Sequence, residues 1–243
     1  MQVPRGKGGT GRVAEWGGPT IFLVLGTLFM LIGGLVSFFI AQSGQANAER
    51  AEGLLPISGP AFNDGTPGRE VLIEGVVSAR NRARFRDFVA YYREEYRGTD
   101  EDGDDQYELM ETVAPALLVD LNGTLVQIAR DSYRFDLPHA RWQDRPGLEY
   151  SVFGDEATSI YYGFVAERSV MAIGTLERGA EGLELQAEFV YGGTRAEYIN
   201  RERNNVRFAW IFGAIFGGVG AIFVVIGVFW LLNMRRRSMI VRV

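Results

Sequence analysis

Two long stretches of this chain carry no charge. No acidic or basic residue lies between Glu15 and Glu49, and inside that gap residues 19–41 (PTIFLVLGTLFMLIGGLVSFFIA) are almost continuously apolar. A second charge-free stretch covers residues 208–234. Each exceeds the roughly 20 apolar residues needed to cross a hydrocarbon layer about 30 Å thick, and neither has the charged face of a helix lying on a membrane surface. Both are expected to span. The bulk hydrophobic content of 47% would fit a soluble domain equally well, so the distribution decides the class.

The first stretch also follows a basic tail and precedes Ala46-Asn47-Ala48, which has the small-x-small look of a signal-peptidase site. Its apolar run is longer than the roughly 7–15 residues of a signal core, which favours a retained helix over a cleaved one. Trp16, Trp210 and Trp230 stand near the ends of the two stretches, where interfacial aromatics anchor depth.

Flanking charge predicts the orientation. Arg5, Lys7 and Arg12 against Glu15 give the amino tail +2; Arg235, Arg236, Arg237 and Arg242 give the carboxyl tail +4. With a chain total of −5, residues 42–207 carry −11. Basic tails on the cytoplasmic face put the acidic segment outside, in a two-span protein of the cell membrane with both termini cytoplasmic. Arg195, Arg201, Arg203 and Arg207, just before the second stretch, argue the other way.

The chain has no cysteine and a single histidine, His139. Disulfides, cysteine nucleophiles, cysteine-based zinc sites and two-histidine metal sites are thereby excluded. His139, in LPHARW, has no Ser or acid at a recognisable catalytic spacing and reads as a surface or interface residue. Lysine occurs once against 24 arginines, a bias that a GC-rich genome produces and that, with the acidic segment, also suits a salt-adapted prokaryote such as a haloarchaeon.

The segment between the spans reads as mainly β. Residues 53–68 are rich in Gly and Pro and suggest an irregular approach. Strand-like runs follow at 69–79, 87–97, 107–121 (divided at Pro115), 124–129, 169–177 and 183–191. Asn122-Gly123 marks a hairpin turn and residues 178–182 a second turn. Six or seven short strands suggest a small barrel or a sandwich; 132–159 has no assignable pattern. Thr194-Arg195-Ala196-Glu197 fits a capping box. No Pro or Gly interrupts residues 195–210, so one helix is expected to leave the domain and become the second span, with a hinge at Asn204-Asn205 as the alternative. The expected organisation is a tail (1–18), a first span (19–41), a linker (42–68), a β domain (69–193), a juxtamembrane helix (194–207), a second span (208–233) and a basic tail (234–243).

The segments VLIEGVVSA (71–79), FVAYYREEY (88–96), APALLVDLNGTLVQI (114–128) and SVMAIGTLERGAEGLEL (169–185) carry a resemblance. In order and spacing, residues 71–207 resemble the GIDE, or beside-a-membrane, domain of the mitochondrial membrane-anchored ubiquitin ligases and their prokaryotic relatives. The resemblance implies a β-rich domain against the membrane on the non-cytosolic side. It does not bring the enzymatic activity, because eukaryotic members transfer ubiquitin through a carboxyl-terminal, zinc-bound RING built from Cys and His ligands. Here nine residues follow Met234, none of them Cys or His. The chain also departs from the family at Arg84-Phe85-Arg86-Asp87, where the family has a Ser/Pro-rich approach to a cysteine-containing strand; Val89 or Ala90 takes the cysteine's place.

Several smaller features remain. Counting Asp100 as the first position of a calcium loop puts Asp102, Asp104, Glu108 and Glu111 at ligand positions, but Asp105 stands where the loop's turn needs glycine. A solvated hairpin tip is the favoured reading, with weak metal binding by Asp100, Asp102, Asp104 and Glu111 as the other. Asn122-Gly123-Thr124 is a glycosylation sequon as well as a turn. Gly213 and Gly217 form a GxxxG, extended by Gly218 and Gly220, and Gly33 and Ser37 form a small-xxx-small pair in the first span. These favour packing of the spans on each other over self-association or a membrane-protein partner. No ionisable residue lies in either apolar stretch, which removes the usual parts of a transporter. No cofactor and no nucleic-acid partner is expected. The reading with most support is a membrane-anchored binding or scaffold module; an enzyme, an extracytoplasmic divalent-ion or ligand sensor, and an accessory subunit of a larger complex are the alternatives.

Overall fold

A computed structural model describes the backbone of residues 11–150, 157–180 and 182–240, and the side chains of these except 11–17 and 235–240. The charged side chains of both tails and residues 151–156 of the segment without a sequence assignment therefore lie outside the described residues. In chain order the elements are α1 (Gly11–Gly53), α2 (Gly59–Asn63), β1 (Glu70–Val77), β2 (Phe88–Thr99), β3 (Asp105–Val113), β4 (Leu117–Leu121), β5 (Thr124–Ile128), β6 (Arg134–Asp136), β7 (Ala140–Gln143), β8 (Ser159–Val165), β9 (Ser169–Arg178), β10 (Leu183–Tyr191) and α3 (Arg195–Ile240). The fold class is thus a β domain between two long apolar helices, each long and apolar enough to cross a membrane. Two compact units form, one of Met1–Asn47 with Arg201–Val243, the other Ala48–Asn200.

In the helical unit α1 and α3 run antiparallel: Gly18 lies against Trp230, Gly33 against Phe216 and Gly44 against Val206. Phenylalanines fill the seam, with Phe29 stacked on Phe216 at 5.7 Å and Phe22 edge-on to Phe223 at 5.8 Å. The expected linker at 42–68 needs correction, because α1 continues to Gly53. Residues 42–52 (QSGQANAERAE) contain Ala, Gln, Glu and Arg, all good helix formers, and no proline. Pro56 and the one-turn α2, with a proline at its start, form the irregular approach that remains.

Among the described residues the β unit holds ten strands rather than six or seven. Five close on themselves. β4 pairs with β5 and β1, β1 with β9, and β9 with β10, all antiparallel, and β10 returns to β5 in parallel. The order β1-β4-β5-β10-β9, with its single parallel pairing, is the connectivity of an OB-type barrel. β6 adds to β10 outside the closure. The other four strands, in the order β3-β2-β8-β7, make a second sheet from two insertions, one between β1 and β4 and one between β5 and β9.

Alternation along the strands sorts side chains between two cores. Ile73 and Val77 of β1, Ala172 and Leu176 of β9 and Leu185 of β10 fill the larger core with Val119, Ile128 and Phe164. Leu72, Met171, Ile173, Phe189 and Tyr191 face the other way, onto Ala51 at the end of α1 and Tyr198 and Ile199 at the start of α3. This double burial explains why those strand ends read as unbroken apolar runs. A bulge between Ala187 and Phe189 makes the change of face in β10, since one extra residue reverses the side-chain phase. Gly174 permits it: a Cβ there would collide with the Gln186 carbonyl.

Candidate interaction surface

The second sheet ends on β3, and among the described residues β3 pairs with β2 alone. Asp105 to Thr112 are all exposed, including Leu109 at 59%, so both faces and the outer edge of this strand meet solvent. A row of unpaired N–H and C=O groups of this kind can accept a further strand. A groove of about 320 Å³ lies along it, lined by Tyr92, Glu94, Leu109, Thr112 and Phe135.

Aromatic side chains cover both faces of the sheet. On one, Phe85 stacks on Tyr161 at 4.3 Å, Trp142 lies 5.4 Å from Phe85, and the Arg86 guanidinium sits 3.8 Å above the Trp142 ring. Arg86 has a left-handed backbone (φ 49°) in a tight bend closed by Phe88 N–H donating to the Phe85 carbonyl at 2.9 Å. On the other, Tyr92 stacks on Tyr162 at 5.0 Å. Burial, with the negative charge of Glu94, pushes the Tyr92 phenol up to about 12.

Between β2 and β3 runs a chain of ion pairs. Glu95, only 7% exposed, lies 2.7 Å from Arg93 and 3.3 Å from Arg97, and Arg97 reaches Glu108 at 2.7 Å. Glu111 accepts from the Tyr91 hydroxyl at 3.3 Å and lies 3.8 Å from Arg93. The structure therefore places the weak metal-ligand candidates Asp100, Asp102, Asp104 and Glu111 in the hairpin and along β3. Asp100 caps the β2–β3 hairpin, its Oδ1 accepting from the amides of Asp102 at 3.1 Å and Asp104 at 2.9 Å and its Oδ2 from Gln106 Nε2 at 2.6 Å. Glu111, six residues along β3 from Asp105, is about 20 Å away at strand rise. Among the described residues no three His, Asp or Glu side chains converge as for a metal ion.

His139 is half-buried and stands at an interface, between β8 and β9. Its Nδ1 accepts from the Val165 amide at 3.3 Å, so the proton is on Nε2, which donates to the Ser169 carbonyl at 2.8 Å. Burial lowers its pKa, and the ring ties β8 to β9 across the two sheets. Asn122 and Gly123 form the expected turn, both with positive φ (54° and 92°), and Asn122 is exposed.

At the helix ends the capping box is closed. The Thr194 amide donates to Glu197 Oε2 at 2.7 Å and the Glu197 amide to Thr194 Oγ1 at 3.2 Å. The Thr194 amide, and with it the Thr194 hydroxyl that donates to the same Oε2 at 3.0 Å, lower the Glu197 pKa. Arg195, whose charge opposed the orientation rule, is engaged locally: its guanidinium donates to the Ala51 and Glu52 carbonyls at 2.7 and 2.8 Å, capping the end of α1. Arg50 likewise pairs with Glu188 at 2.8 Å and with Glu70.

In the helical unit Gly213 meets Ser37 and Gly33, as the small-residue pattern predicts, but Gly217 and Gly218 face open space. The GxxxG is split because the closest backbone approach lies elsewhere, at Gly26 and Gly220, where a Cβ on either would be 2.6 Å from the other's carbonyl oxygen. Nothing in the sequence marks Gly26, Trp142 or Tyr161, or a place on a sheet face for Phe85; the density of aromatics at 88–96 and 160–164 was the available sign. Comparison with known protein families, with characterised proteins and with solved structures finds no match.

Proposed function

We propose that this chain is a membrane-anchored binding or scaffold module of GIDE type, without ubiquitin-ligase chemistry of its own, whose β unit lies outside the cell and engages a membrane-protein partner through the second sheet. The observation that carries the reading is β3, an exposed edge strand of nine residues beside an aromatic sheet face. Strand addition supplies affinity through main-chain hydrogen bonds and specificity through alternate side chains. The GIDE assignment has the support of the four resembling segments, which coincide with β1, β2, the β4–β5 hairpin and the β9–β10 hairpin. Orientation has the support of the basic tails and the acidic middle. A divalent-ion sensor has no observation in its favour now that Asp100 is committed to its own hairpin.

A photo-crosslinker at Met110 on β3 tests the binding face in native membranes, with one at exposed Glu177 on the barrel as comparison. A discrete adduct from Met110 alone, lost on Leu109→Lys, is expected; equal adducts from both positions, or none, would sink the proposal. The absence of native cysteine makes orientation directly testable. Asp102→Cys should react with an impermeant maleimide in intact cells while Ser238→Cys does not, and the opposite pattern places the β unit in the cytoplasm.

A further inference from the structure

A groove of about 550 Å³ runs along the α1–α3 seam of the helical unit. Its walls are apolar where Ile40, Phe208 and Phe212 line it, and polar where Glu202 and Asn205 do. Phe208 begins the charge-free stretch, so in a membrane the Glu202 end stands at headgroup level and the Phe212 end among acyl chains. Two buried polar side chains line the groove. Ser37, 2% exposed, carries a buried Oγ without a hydrogen-bond partner, the only such side-chain N or O among the described residues. Glu202, 8% exposed, accepts from Asn47 Nδ2 at 3.4 Å, near the limit of a hydrogen bond. A carboxylate offers about four acceptor positions, and burying its charge is costly unless a cation or strong donors meet it.

The position of Glu202 suggests what completes it. It lies beside Gly44 at the polar end of the groove, whereas Ser37 Oγ is closed off against Gly213 in the helix seam. We infer that this groove holds one primary-amine phospholipid. Its ammonium donates to Glu202, and a chain lies against Ile40, Phe208 and Phe212. Primary amine rather than choline follows from chemistry: a quaternary ammonium has no N–H to give the carboxylate. The inference needs the helices to span a bilayer but is independent of which side the β unit occupies.

The test reconstitutes the full chain in nanodiscs containing equal phosphatidylethanolamine and phosphatidylcholine, then counts lipids retained on release by native mass spectrometry. One ethanolamine lipid retained about tenfold over choline lipid is expected, the size of a charge-assisted hydrogen bond. Glu202→Gln should remove the preference, and Ser37→Ala should keep it. Equal retention by the natural chain overturns the inference, as does stronger retention of anionic phosphatidylglycerol, or an unchanged preference in Glu202→Gln. Should the Glu202 variant fail to assemble, the comparison of the two head groups on the natural chain decides alone, because choline has no N–H to give the carboxylate.

Discussion

The two sheets of the β unit are made from similar strands and end differently. In the barrel sheet β10 closes back onto β5, leaving β6 as an added flank, and Val77, Leu117, Leu176 and Leu185 are fully buried. In the second sheet β2 and β8 are covered but β3 is exposed over eight consecutive residues. Closure removes edges and concentrates burial, so the barrel supplies stability; the inserted sheet keeps an edge, which costs protection against wrong pairing and offers a surface. The difference sets where substitutions should be felt.

The largest effect belongs to the barrel. Gly174→Val forces a side chain into the Gln186 carbonyl at the β10 bulge, and overpacking of this kind costs about 3 kcal/mol. Chemical denaturation should show a loss of that order or no folded β unit at all. Wild-type stability would mean that the bulge is not required and that the closure is looser than the pairing implies.

What was legible beforehand follows the same division between local and distant. Asn122-Gly123 and Thr194 with Glu197 were readable because turn and cap chemistry lie within four residues of chain. The two apolar helices were readable because hydrocarbon thickness imposes a length on any stretch able to cross it. The parallel β5–β10 pairing was not, since it joins residues 57 apart through Gln127 and Glu184, and no local pattern encodes which strands meet. β6 and β7, at three and four residues, are too short to show a period. In the candidate surface the aromatics were visible as composition but not as a face. The split of Gly213 from Gly217 depends on the rotational setting of two helices, which the GxxxG spacing leaves open.

A middle effect is expected where the barrel's outer face receives the helix ends. Thr194→Ala removes the hydroxyl that accepts from the Glu197 amide and should cost about 1 kcal/mol. Because hydrogen bonds to Thr194 lower the Glu197 pKa, the native carboxylate binds its proton later than the unfolded one. Its contribution is complete above the usual Glu range and is lost as pH falls through the lowered folded value. Thr194→Ala should therefore also shrink acid sensitivity below pH ~4.5, measurable as the change in denaturation midpoint with pH.

His139 joins the two sheets, and its titration probes that junction. Burial lowers its folded pKa below 6.5, so the unfolded chain takes up the proton first as pH falls. Stability is complete above about 6.5 and declines from there towards the folded value. His139→Gln should flatten the stability profile across this window. An unaltered slope would show that the ring is not held neutral between Val165 and Ser169.

The smallest effect sharpens the comparison most, because it sets two leucines of the same domain side by side. Leu176 is fully buried in the barrel core and Leu109 is 59% exposed on β3. Truncating the first to alanine removes buried methyl groups and leaves a cavity, a loss of about 3 kcal/mol. Replacing the second with lysine removes no core contact and should stay within about 0.5 kcal/mol. A lysine on a free edge is moreover a common guard against strand pairing. Leu109→Lys should thus leave the denaturation midpoint in place while the β3 crosslink disappears. If instead it destabilises as Leu176→Ala does, Leu109 is covered in the native protein and β3 is an interior strand of some larger assembly. If stability and crosslink both persist, the edge is open but is not where the partner binds, and the aromatic face around Phe85 and Trp142 becomes the surface to alter next.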